Sequence, residues 1–99
     1  VNPDIHSYIV QIVAKTRADR RVQLGASPRG SLALFKLSRS RAMMQGRDFV
    51  TPDDVKAVAV PALAHRVILR PELWAERISG ETVVRDALEE VPVPKAEWR

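Results

Sequence analysis

The sequence predicts an all-α fold, a compact bundle of about four helices. Three observations carry this. Three helix starts are marked by a capping side chain followed directly by proline, and apolar residues recur at helical spacing along the helices. The joining stretches are short, and only Val67-Ile68-Leu69, after the third helix, reads as a candidate extended piece. Ninety-nine residues suffice for one hydrophobic core and not for two.

The first helix opens at Asn2-Pro3-Asp4. Asn2 is a capping residue, Pro3 stands where a missing N–H costs nothing, and Asp4 faces the positive end of the helix dipole. Ile5, Tyr8, Ile9, Ile12 and Val13 then form one apolar face, and Lys15 and Arg17 suit the negative end. The helix is expected to stop near residue 18, with a connector over about residues 19 to 27.

Ser27-Pro28 starts the second helix and Gly46 ends it as a left-handed residue. Leu32, Leu34, Phe35, Leu37, Ala42, Met43 and Met44 wrap around more than one of its faces. A helix of that kind is either central in its bundle or meets a second surface outside it. Thr51-Pro52-Asp53-Asp54 opens the third helix, with Thr51 as cap and Asp54 completing a variant capping box. Pro61 falls within its apolar run, so a kink or break is expected there.

Residues 67 to 78, with Pro71 and Trp74, do not resolve into one pattern. The last helix starts around Gly80-Glu81 and turns Val84, Ala87, Leu88 and Val91 inward; Val91-Pro92-Val93-Pro94 cannot continue it. Trp74 and Trp98 are read as packing residues rather than interface anchors.

Composition excludes several classes. There is no long apolar run, and the absence of cysteine removes disulfides and thiolate metal sites and fits a cytoplasmic protein. The opening Val1-Asn2-Pro3-Asp4, with no Met and a helix start at once, suggests a piece of a longer chain. Sixteen Lys and Arg stand against twelve Asp and Glu, for a net charge of +4, but the two signs are interleaved. A solvated basic face is therefore the expectation. Its rivals are a nucleic-acid-binding surface using Arg17, Arg20, Arg21, Arg39 and Arg41, and an adaptor domain whose second helix binds a partner.

The search for catalytic residues returns none, and no metal site is expected. His6 and His65 are far apart and lack a carboxylate partner at ligand spacing. Ser27, Ser31, Ser38 and Ser40 have no triad context, and the adjacent pairs Asp53-Asp54 and Glu89-Glu90 point to different sides of their helices. Asp53-Asp54 reads as dipole complement and Glu89-Glu90 as solvent-facing. Gly25-Ala-Ser-Pro-Arg-Gly30 has the glycine spacing of a phosphate loop. Ser31-Leu32 follows it where lysine and a hydroxyl residue belong, and no strong strand precedes it, so a self-contained P-loop is rejected. The sharper feature is Arg29, a guanidinium in the first turn of a helix, beside free N–H groups. That combination suits an anion brought in from elsewhere, against the plainer reading of a solvent-screened arginine.

With those residues in place, a resemblance emerges. Leu24-Gly-Ala-Ser-Pro-Arg29 and its helix resemble the sensor 2 region of MoxR-type AAA+ ATPases, and Gly46-Arg-Asp-Phe-Val-Thr-Pro-Asp-Asp-Val55 is similar to the segment that follows it. Tyr8, Thr16-Arg17, Ala64-His-Arg66 and Val91-Pro-Val-Pro94 extend the likeness over nearly the whole chain; Gly30 departs from it, standing where alanine is frequent. The resemblance implies that residues 1–99 are a single C-terminal helical lid, separated from an N-terminal P-loop core. It implies no enzyme activity or cofactor for the lid alone, and ATP with magnesium in the parent. Arg29 then matches the sensor 2 arginine that reaches the γ-phosphate. The implied partners are the core of the same chain, neighbouring ring subunits and von Willebrand factor A domain proteins served in a chaperone-like role, with no membrane and no nucleic acid.

Overall fold

The computed structural model describes residues 3–25, 28–71 and 78–94. Four helices dominate it: α1 (Pro3–Ala18), α2 (Pro28–Met44), α3 (Pro52–Leu63) and α4 (Gly80–Glu90), with a 3-10 turn at Ala64–Arg66 directly after α3. The all-α bundle is the observed architecture. Two short strands accompany it, β1 (Val22–Leu24) and β2 (Ile68–Leu69), paired antiparallel with Val22 opposite Leu69 and Leu24 opposite Ile68 across an irregular register.

The core is the convergence of the apolar stripes. Ile5, Tyr8, Ile9, Ile12 and Val13 of α1 are buried as their spacing predicts, against Leu34 and Ala42 of α2, Val55, Ala59 and Leu63 of α3, and Val83 and Val84 of α4. Two polar side chains inside this core satisfy themselves locally: Thr16 Oγ1 donates to the Val13 carbonyl at 2.7 Å and Ser38 Oγ to the Leu34 carbonyl at 2.7 Å. Tyr8 is buried too, yet its hydroxyl has no hydrogen-bond partner.

The caps among the described residues follow their punctuation. Gly46 has φ of 77°, and it closes α2 with the paired bonds of a Schellman motif: Arg47 N–H to the Ala42 carbonyl and Gly46 N–H to the Met43 carbonyl, both 2.9 Å. Thr51 and Asp54 form the reciprocal capping box that opens α3, and Ser79 Oγ accepts from the Thr82 N–H at the start of α4.

Three expectations need correction. The connector over 19–27 is not structureless, since β1 lies within it. Val22-Gln-Leu24 was too short to read as a strand alone, and it is held by pairing with residues 44 positions downstream at the nearest, Leu24 against Ile68. The objection that no strand precedes Gly25 therefore falls. The P-loop rejection stands on the missing lysine and hydroxyl and on a strand that belongs to a two-stranded antiparallel ribbon. Finally, α3 does not break at Pro61 but runs two residues beyond it and tightens into the 3-10 turn. The proline deprives the Ala57 carbonyl of its donor, and both residues are exposed, so water can replace it. Asn2, Ala26, Ser27, Trp74 and Trp98 lie outside the described residues, so the Asn2 and Ser27 caps and the readings of the two tryptophans do too.

α2 behaves as a helix with two masters. Gly30, Leu34, Ser38 and Ala42 form its buried stripe, which accounts for Gly30 as a small residue at a packed position. Leu32, Leu37, Met43 and Met44 are 51%, 42%, 69% and 85% exposed. The multi-faced pattern is real, and the second apolar face is uncovered within this chain.

Candidate functional site

The structure sorts the cations of this basic chain into paired and unpaired. Arg21 lies between Asp19 and Asp86, at 2.7 and 2.8 Å. Arg41 and Arg47 both reach Asp54, each at 2.6 Å. Lys15 meets Glu90 and Arg85 meets Glu81. Two of the five arginines of a nucleic-acid surface, Arg21 and Arg41, are thus neutralised by carboxylates.

Asp54 is more than a dipole complement. Its side chain is fully buried, and its oxygens accept from Arg41, Arg47, the Thr51 N–H and the Thr51 hydroxyl. Burial alone pushes its carboxyl up. The donors together outweigh that and hold its pKa well below the ordinary carboxylate range. The Arg21 guanidinium likewise holds Asp19 low, while burial, with the charge of Asp53 behind it, raises Tyr8. Sequence spacing pointed to the Thr51–Asp54 box. It had no means of showing that Arg41, thirteen residues back on another helix, shares the same carboxylate.

Arg29 sits where the sequence placed it, in the first turn of α2, and is exposed. The first turn contains no acid, and neither does the rest of the helix, which carries Arg29, Lys36, Arg39 and Arg41. First-turn N–H groups have no acceptor within their own helix, so a guanidinium and oriented amide dipoles share one end of α2. His6 and His65 are both exposed and lie on separate elements. Among the described residues no group of three His, Asp or Glu side chains is placed to hold a metal ion.

Beside this helix start lies a groove of about 600 Å³, lined by Arg17, Gln23, Leu24, Gly25, Pro28, His65, Arg66 and Ile68. It gathers the end of α1, both strands, the start of α2 and the 3-10 turn, segments far apart in sequence. Gly25 is packed so closely on α1 that a Cβ there would lie 2.6 Å from Arg17 Cγ and 2.7 Å from its Cα. Among the described residues no carboxylate lines the groove, and none pairs with Arg17 or Arg66.

The fold is thus a helical bundle with an uncovered apolar helix face and an exposed arginine in the first turn of a helix that carries no acid. The model of the AAA lid domain family matches residues 14–87, and the chain belongs to that family. The relatives it matches include proteins named MoxR. The chain is 37% identical over 97 residues to Chaperone MoxR1 of Mycobacterium tuberculosis, covering 89% of this chain and 26% of that one. It is 44% identical over 78 residues to Protein MoxR of Methylorubrum extorquens, covering 77% and 22%. It is 48% identical over 90 residues to YeaC of Bacillus subtilis, covering 91% and 28%. The crystal structure of a candidate ATPase from Cytophaga hutchinsonii superposes with a TM-score of 0.89 at 32% identity, over 95% of this chain and 31% of that one. The chain thus spans about a quarter of the length of the curated relatives it matches. No helix of the described residues is long and apolar enough to cross a membrane.

Proposed function

We propose that this chain is the C-terminal lid of a MoxR-type AAA+ ATPase and that Arg29 is its sensor 2 arginine. The observation that carries the reading is the exposure of Arg29 in the first turn of an acid-free helix, in a domain of the AAA lid family. Bound ATP in the parent presents its γ-phosphate to this end of α2, and the Arg29 guanidinium donates charge-assisted hydrogen bonds to it. Loss of that phosphate weakens the hold and lets the lid move relative to the core. The residues described suit a phosphate contact and not a magnesium site. The magnesium ligands and phosphate cradle are assigned to the P-loop core of the parent.

The uncovered face of α2, with Leu32 and Met43 roughly opposite its buried stripe, supplies the surface through which lid movement is transmitted to the core and to neighbouring ring subunits. A chaperone-like action on partner proteins, von Willebrand factor A domain proteins among them, in the cytoplasm, completes the reading by its likeness to the relatives named MoxR. The exposed face also suits an adaptor domain, which predicts binding of a partner without any ATP dependence.

The deciding experiment is steady-state ATP turnover of the parent, wild type against Arg29→Ala, with ATP affinity measured alongside. A fall of about tenfold or more with the fold intact is expected. Unchanged turnover and affinity would remove Arg29 from the nucleotide site.

A further inference from the structure

We infer that the groove lined by Arg17, His65 and Arg66 is a second nucleotide-contact subsite. Its two arginines take phosphate oxygens, and the Leu24–Ile68 pair takes the flat face of the nucleoside. This rests on the reading that the start of α2 faces bound ATP, and it extends that site to side chains nothing else assigns.

Three observations carry it. The first is charge. The other two grooves of comparable size contain cations already neutralised or mixed with acids. In one, Arg41 and Arg47 are committed to Asp54 and Asp53 lines the wall; in the other, Arg85 is paired with Glu81 and Glu89 lines the wall. Among the described residues, the Arg17 groove has no carboxylate in its lining, unlike those two.

The second is geometry. Arg66 donates Nε to the Ala62 carbonyl at 3.2 Å, which anchors the guanidinium and leaves its terminal nitrogens for a ligand. Arg17 is held from behind, because Gly25 lies against its Cα and Cγ and a side chain there would displace it. The Arg66 guanidinium is therefore positioned before any ligand arrives, which lowers the ordering cost of binding. The third is shape. The volume of about 600 Å³ lies within the range of small-molecule sites, and Leu24 and Ile68, 61% and 47% exposed, sit directly opposite each other across the ribbon. An apolar pair of that exposure is unfavourable in water and is covered by a planar base at little cost. Pro28, the residue before Arg29, is part of the lining, so the groove adjoins the start of α2.

The test is a titration of the isotope-labelled chain, followed by its backbone amide resonances, with ATP, inorganic tripolyphosphate, adenosine and poly-glutamate in separate series. ATP is expected to shift the amides of Arg17, Leu24, Gly25, Arg66 and Ile68, weakly and with salt sensitivity, and tripolyphosphate to shift the arginine subset. Arg17→Gln combined with Arg66→Gln should weaken ATP by about fivefold or more, and Arg17→Lys with Arg66→Lys should recover part of it. The unshifted amides of the core report that each variant is folded. No perturbation at the groove, or perturbation centred on Arg41 and Arg47, overturns the inference. Binding of poly-glutamate without tripolyphosphate overturns it in favour of an acidic protein surface. Turnover of the parent separates the two readings. Loss with Arg29→Ala but not with the groove variants leaves the sensor reading standing and removes the groove. The reverse result removes the sensor role of Arg29 and keeps the groove.

Discussion

Replacing Asp54 by Asn tests the strongest electrostatic feature of the fold. The wild-type carboxylate is fully buried and accepts from two guanidinia, a backbone N–H and a hydroxyl, at 2.6 to 3.1 Å. An amide of the same shape keeps one acceptor oxygen and turns an NH2 group toward donors. Removing one partner of a buried ion pair typically costs about 3–5 kcal/mol, because the remaining charge is left uncompensated. Here the side chain of Arg41 remains 35% exposed and that of Arg47 26%, so water recovers part of their solvation. The lower end, about 3 kcal/mol, is therefore expected for Asp54→Asn, part of it from the weakened α3 cap. For a domain of this size that lowers the melting temperature by roughly 15 °C. Urea unfolding followed by far-UV circular dichroism measures it directly. A loss below about 1 kcal/mol would refute the argument, showing that the three side chains are held together by packing and not by charge.

The same carboxylate sets the acid limb of stability. Its folded pKa lies below the unfolded value of about 3.9, so its contribution is fully present above that pH and is lost as pH falls toward the folded value. Unfolding free energy measured from about pH 6 downward should fall more steeply below pH 4 in the wild type than in Asp54→Asn; parallel curves would contradict the assignment. Tyr8→Phe removes a buried hydroxyl that has no partner, so it should leave stability unchanged or raise it by up to about 1 kcal/mol; a clear loss by denaturant titration would reveal a bond the fold does not show. Gly25→Ala forces a Cβ into the α1 backbone at Arg17 and should destabilise the chain by about 1–3 kcal/mol, with the largest amide shifts at the end of α1 and in the β1–β2 ribbon. An unperturbed spectrum would mean that the loop moves aside freely.

Most of the helical architecture was legible because its signals are local. Pro3, Thr51-Pro52 and Gly46 mark chain directions that depend on φ, on missing donors and on orphan N–H groups within a few residues. The apolar stripes of α1 and α4 faced the core as their periods required. Arg29 was found in the same way, as an arginine two residues into a helix whose start is announced by proline. Local rules allowed a kink or a break at Pro61, and the break does not occur, because the cost of one missing bond is set against the packing of Val55, Ala59, Ala62 and Leu63. They also understated Val22-Gln-Leu24, three residues that form a strand only because residues 68–69 arrive beside them.

The sequence by itself thus determined the four described helices, where each begins and the inward faces of α1 and α4, since capping and periodicity act over one or two turns. Only the tertiary structure decided which charges meet. Arg41, Arg47 and Asp54 share one site, Arg21 reaches Asp86 across 65 residues, and Arg17 and Arg66 come to one groove without a carboxylate. The reason is range. Electrostatic partners are chosen by distance in space, and that distance is set by how the apolar faces pack, which no local pattern of residues encodes.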